Sequence, residues 1–128
     1  MASVQDPEHT LNAQTEALYE KGFASRCEGD YASARKYFQE VMERVPGHIK
    51  ARWQLALIKG FEGDFDGSLA DLAQLVQDAP NDPEVRYDYA MTLMMLGFFD
   101  EGCEQLREVL RLKPDHEKAK QQLQYCGG

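Results

Sequence analysis

The sequence predicts an all-α protein of antiparallel helix pairs, about seven helices in all, and three observations carry that reading. Landmarks recur every 34 residues: Pro46, Pro80 and Pro114 are so spaced, and so are Gly29, Gly63 and Gly97. Each period is punctuated twice, by Gly near its middle and Pro near its end, which leaves two segments of ordinary helix length. The second segment of each period carries apolar residues at helical spacing: Tyr37, Phe38, Val41 and Val45, then Leu69, Leu72, Leu75 and Val76, then Cys103, Leu106, Val109 and Leu110.

Taken in order, residues 1–14 read as a polar N-terminal tail with no Lys or Arg. Three units follow, at 15–48, 49–82 and 83–116, and residues 117–128 remain. Within the first two units the turn is Gly-Asp-aromatic, Gly29-Asp30-Tyr31 and Gly63-Asp64-Phe65. Here Gly can leave one helix in a left-handed conformation and Asp can cap the next. Phe98 replaces the Asp in the third turn, a lost cap worth about 1 kcal/mol. Asp82-Pro83-Glu84 sets a cap, a first-turn Pro and an acidic residue at the start of the third unit. Small residues pair across each turn, Gly22 with Ala34, Ala56 with Ser68 and Ala90 with Gly102, and allow two backbones to approach. The remainder sets Ala119, Leu123 and Cys126 on one side and Lys120, Gln121, Gln122 and Gln124 elsewhere, as a polar helix covering the last unit would.

The 34-residue period, the Gly-Asp-aromatic turn, the paired small residues and the closing Pro resemble the tetratricopeptide repeat family, with three repeats and a C-terminal capping helix. The family's large aromatic at the fourth position is Leu18, Arg52 and Arg86 here, with Tyr19, Trp53 and Tyr87 one place later. The resemblance implies an α-solenoid, a right-handed superhelix whose first helices line a groove that binds a peptide or helix of another protein. Groove-facing positions then carry Tyr19, Phe23 and Cys27, Trp53, Leu57 and Phe61, and Tyr87, Met91 and Met95, with Met94 adding to them. All are apolar or aromatic, and spacing of four keeps each trio near one helix face. Packing between neighbouring repeats is the alternative for Tyr19, Trp53 and Tyr87, and burial by the N-terminal tail or by a second copy is the alternative for the rest.

The family also contains domains that hold acidic chaperone tails with a clamp of Lys, Asn and Arg. The matching positions here are Tyr19, Phe23, Gln54, Glu84 and Asp88, so the clamp is absent. A rim of Glu16, Glu20, Gln54, Glu84 and Asp88 favours a neutral or basic ligand. Three repeats, acidity and an apolar groove are also similar to type III secretion chaperones, whose long N-terminal helical segment the sequence does not show.

A net charge of −8 gives no global drive toward phosphate, which argues against nucleic acid. No apolar run reaches the length of a membrane span, and the cytoplasm is the default compartment unless a signal peptide has been trimmed. Three cysteines, Cys27, Cys103 and Cys126, lack C-x-x-C spacing, so neither zinc nor a disulfide framework is expected, and Cys103 reads as core. His9, His48 and His116 read as solvated tail and loop residues. No catalytic motif and no cofactor site are found. The expected function is a non-enzymatic protein-binding module, and the alternative is a self-assembling one that forms homo-oligomers.

Overall fold

A computed structural model describes residues 7–127, among which there are seven helices and no strand. They are α1 (Pro7–Cys27), α2 (Tyr31–Arg44), α3 (Ile49–Phe61), α4 (Phe65–Asp78), α5 (Pro83–Met95), α6 (Phe99–Leu112) and α7 (Glu117–Leu123). The expected tail needs correction, because residues 7–14 are the first turns of α1. Pro7 opens that helix at a position where a missing amide hydrogen is harmless. Residues 1–6 and the side chain of His9 lie outside the described residues.

The turns follow from glycine chemistry. Gly29, Gly63 and Gly97 have φ of +82°, +95° and +93°, a conformation that a Cβ would strain. After the first two, Asp30 Oδ1 accepts the Ser33 amide at 3.1 Å and Asp64 Oδ1 accepts the Gly67 amide at 2.9 Å. Phe98 caps α6 with no side-chain hydrogen bond, as its chemistry requires.

Unit ends use a second set of caps. Asp82 Oδ1 accepts the amides of Glu84 and Val85 at 3.0 and 3.2 Å. The residues one period either side are His48 and His116, whose Nδ1 atoms accept the amides of Ala51 and Ala119, both at 3.1 Å. His116 was expected in solvent and is instead 5% exposed. It is buried because its ring stacks on Tyr87 while it caps α7.

The chain divides within α3, at Ile58 and Lys59, into two compact units. In the first, Phe38 and Val41 of α2 and Ala34 beneath them join Ala51 and Ile58 of α3 in a fully buried cluster, flanked by Leu18 and Tyr19 of α1. A Cβ placed on Gly22 would lie 2.8 Å from the Phe38 ring, so α1 and α2 touch through the missing side chain. In the second, α5 packs on α4 and α6, and α6 on α7. Ala90, Leu106, Val109 and Ala119 form its cluster with Leu123 and Cys126 packed against it.

One expectation is overturned. Cys103 of α6 is disulfide-bonded to Cys126, just beyond α7, with an S–S distance of 2.08 Å. Linear spacing hid the pair because the two residues meet only when α7 folds back on α6. Cys27 is free and exposed.

Two outcomes test this account. Ala for Gly22 gains about 1 kcal/mol of helix propensity but drives a methyl into a fully buried ring, and overpacking costs about 1–3 kcal/mol. Gly22→Ala therefore lowers the midpoint of urea unfolding, and a raised midpoint refutes the close contact. Reducing the disulfide frees a loop of 23-residue separation, a loss of about 3 kcal/mol by loop entropy. The melting temperature with and without dithiothreitol measures it, and an unchanged value shows that the pair is not formed.

Candidate functional site

The candidate residues come from the first helix of each pair, and their placement differs position by position. In the first unit, Tyr19 is half-buried against Phe38, with ring centroids 5.5 Å apart, and beside His48 at 6.1 Å. Its hydroxyl accepts a hydrogen bond from Gln54 Nε2 at 3.4 Å. Burial raises the Tyr19 pKa above the usual phenol value, with Glu20 and Glu16 adding to the rise against the opposing Gln54 bond and Arg26. Phe23 stacks on Tyr19 at 6.4 Å and remains 38% exposed, with the Arg26 guanidinium 5.0 Å from its ring centre. Trp53 and Leu57 are half-buried, and Cys27 is exposed.

In the second unit, Tyr87 stacks on His116 with centroids 5.0 Å apart, and burial raises its pKa also, helped by Asp88 and Glu84. The offset from Tyr87 to His116 is the same as that from Tyr19 to His48, so in the first and third repeats the fifth-position tyrosine rests on the capping histidine that ends its repeat. Both tyrosines thus pack on rings of their own repeat, and Tyr19 also meets Gln54 at the start of the next. Phe61 and Met95 are 52% and 61% exposed, and Met91 is half-buried. Met94 needs correction: it lies against Gly102 and packs on the Ala90 and Leu106 cluster, so it serves the α5–α6 contact.

The expected rim changes too. Glu16 and Glu20 are exposed. Gln54, placed at the rim by its register, is 4% exposed, with its amide nitrogen turned to Tyr19. Glu84 is held by His116 Nε2 at 3.2 Å and Lys113 Nζ at 3.5 Å. Because His116 Nδ1 accepts the Ala119 amide, its proton sits on Nε2 and donates to Glu84. Asp88 is half-buried, and its backbone carbonyl accepts the Thr92 hydroxyl at 2.9 Å. The sequence reading missed the histidine caps, although the register that identified Asp82 as a cap points to both.

Profiles of the tetratricopeptide repeat match residues 15–48 and 62–124. The chain belongs to the tetratricopeptide repeat family. Among solved structures, a mutant O-GlcNAc transferase of Thermobaculum terrenum is similar with a TM-score of 0.80 and 22% identity, over 94% of this chain and 22% of the transferase. YrrB, described as a TPR protein with an unusual peptide-binding site, is similar with a TM-score of 0.73 and 21% identity, over 86% of this chain and 57% of YrrB. The first TPR of Spaghetti, solved with the HSP90 peptide SRMEEVD, gives 0.76 and 19%, over 86% of this chain and 87% of that one. At such identities the likeness shows the fold alone. This chain thus spans about a fifth of the transferase and somewhat over half of YrrB. No curated protein sequence matches it.

A tetratricopeptide fold is a protein–protein interaction module, and here its first helices leave apolar side chains in water at Phe23, Phe61 and Met95. No helix among the described residues is long and apolar enough to cross a membrane.

The two buried phenols give a pH test. Their folded pKa values are raised above the unfolded value of 10.0, so the stability they contribute is fully present below pH 10 and is lost as pH rises through the folded values. In the Tyr19→Phe, Tyr87→Phe double variant the alkaline fall in stability above pH 10 becomes shallower. Urea unfolding at a series of pH values reads it, and an identical slope in both proteins removes these phenols from the account.

Proposed function

We propose that this chain is a non-enzymatic adaptor that holds a peptide or amphipathic helix of another protein on the apolar faces of its first helices. Each unit carries its own anchors: Phe23 in the first, with half-buried Tyr19, Trp53 and Leu57, and Phe61 and Met95 in the second, with half-buried Tyr87 and Met91. The supporting observation is the exposure of Phe61 and Met95, large apolar side chains at equivalent repeat positions with half or more of their surface in water. Such side chains gain about 25 cal/mol for each Å² a partner covers. YrrB is described with a peptide-binding site and Spaghetti with a bound peptide, which agrees with this use of the fold.

Charge sets the ligand. Glu16 and Glu20 are exposed, and the chain carries −8 overall, so a neutral or basic segment is favoured. An acidic tail is a poor ligand, because Glu84 and Asp88 stand where the clamp subtype has Lys and Arg. The sequence alone makes the cytoplasm the default, and the closed Cys103–Cys126 disulfide favours an oxidising compartment instead.

Peptides selected from a displayed library against the folded chain test the reading. Phe61→Asp and Met95→Asp weaken capture by about 30-fold or more, the share of a central anchor, while the melting temperature stays close to that of the parent. Variants that unfold would mark these residues as core, and folded variants that bind normally would place the ligand on another face. A peptide ending in Glu and Asp binds no better than its scrambled form. A mass that rises with concentration in light scattering would instead favour self-assembly.

A further inference from the structure

A second surface lies between α4 and α6 in the second unit, away from the residues assigned above. Leu69 and Ala73 of α4 and the buried Leu93 of α5 line a cleft of about 270 Å³. The ring of Phe98, 48% exposed, makes one wall, and Tyr89 lines the cleft as well. Asp66 and Glu101 stand at its edge, both exposed and neither paired with a cation among the described residues.

The repeat register shows that this cleft is not a by-product of the fold. At the α4 positions Ala70 and Ala73, the preceding repeat has Lys36 and Gln39, and the following one has Glu104 and Arg107. Long polar side chains are replaced by short apolar ones only on α4, where the cleft opens. Phe98 occupies the turn position that is Asp30 and Asp64 in the other repeats, so a helix cap is exchanged for an aromatic wall at the same place. Phe98 forgoes the side-chain cap of α6, and Ala70 and Ala73, although good helix formers, leave the apolar residues beside them uncovered. Both remove polar reach and add apolar surface around one cavity.

We propose that this cleft is a docking site for a segment of another protein that carries one bulky apolar side chain flanked by Lys or Arg. The apolar side chain enters between Leu69, Ala73 and Phe98, and the flanking cations meet the Asp66 and Glu101 carboxylates. Their first-turn placement suits helix N-termini, but pairing them across a cleft gives the site its charge. A second copy of this chain is the poorer occupant, since two molecules of charge −8 repel.

The test uses synthetic peptides Gly-Ser-Arg-X-Arg-Ser-Gly with X as Leu, Met, Phe or Ala, and a Leu peptide with Glu in place of both Arg, titrated against the ¹⁵N-labelled full chain. The expected result is amide shifts centred on Ala70, Ala73 and Glu101, at least tenfold tighter binding for a large X than for Ala, and loss of binding with Glu flanks. Ala73→Arg and Ala70→Lys restore residue types found at the same register in Arg107 and Lys36, so the helix accommodates them, and Ala73→Arg weakens the Leu peptide at least tenfold. Asp66→Asn with Glu101→Gln flattens the salt dependence. Equal binding of Leu and Ala peptides, or of parent and Ala73→Arg, overturns the proposal. Shifts that Phe61→Asp abolishes and Ala73→Arg leaves intact assign the peptide to the first-helix faces and overturn it too. A concentration-dependent mass in light scattering that Ala73→Arg reverses identifies a second copy as the occupant and overturns the partner assignment.

Discussion

Close approach of helix backbones at positions with little or no side chain is the constraint on which the rest depends. Phe38 can be fully buried because Gly22 leaves room for its ring, and a Cβ on Gly102 would come within 3.1 Å of the Ala90 carbonyl oxygen. Once those contacts set the spacing, the large apolar residues of α2 and α6 have nowhere to go but inward: Phe38 and Val41 in one unit, Leu106 and Val109 in the other, are all fully buried. The outward stripe of the first helices is then determined by difference. Phe23, Phe61 and Met95 lie on the sides of α1, α3 and α5 that the helix-pair contacts do not consume.

That logic explains how much was legible. A period of 34, read from three prolines and three glycines, specified the helix count and the turns, because Gly and Pro act locally and no tertiary contact overrides a positive φ or a missing amide hydrogen. Core positions on the second helices were legible for the same reason that helical periodicity is: one face repeats. What was not legible depends on residues far apart in sequence. Gln54 was assigned to a rim by register, but the hydroxyl of Tyr19, 35 residues earlier, turns its amide inward. Glu84 was assigned to the rim, and His116 and Lys113 reach it there from the end of the same repeat. Cys103 was recognised as buried and its partner was not, since burial is a property of α6 alone and bonding is a property of α6 with α7.

The C-terminal end shows how a weak element is held. Seven residues of α7 are too few to be stable as an isolated helix, since nucleation alone costs more than so short a ladder returns. Three contacts offset this: His116 satisfies the Ala119 amide, Ala119 is fully buried against Leu106 and Val109, and Cys126 is tied to Cys103. The histidine cap is itself steadied by the Tyr87 ring and the Glu84 carboxylate on α5. His48 repeats the cap for α3, where the ring beside it is Tyr19. In the first and third repeats the aromatic shift from the fourth to the fifth position thus has a structural partner in the histidine that closes the same repeat; the second, with Trp53, closes on Asp82.

Departures from a repeat are informative when stability does not explain them. The exchange of Asp for Phe98 forgoes a cap worth about 1 kcal/mol and leaves an aromatic ring half in water, both unfavourable for the isolated chain. Loss of long side chains at Ala70 and Ala73 likewise uncovers neighbouring apolar surface that Lys36 and Gln39 positions would screen with their aliphatic stems. A ligand seated in the proposed site would offset the lost Phe98 cap, because a ligand contributes stability only where it makes contact. The tyrosine and histidine pairs differ in kind: each departure there is matched by a contact within the chain, so structure alone accounts for them. By that criterion the two histidine caps belong to the fold, and the lost Phe98 cap is the departure that the proposed docking site accounts for.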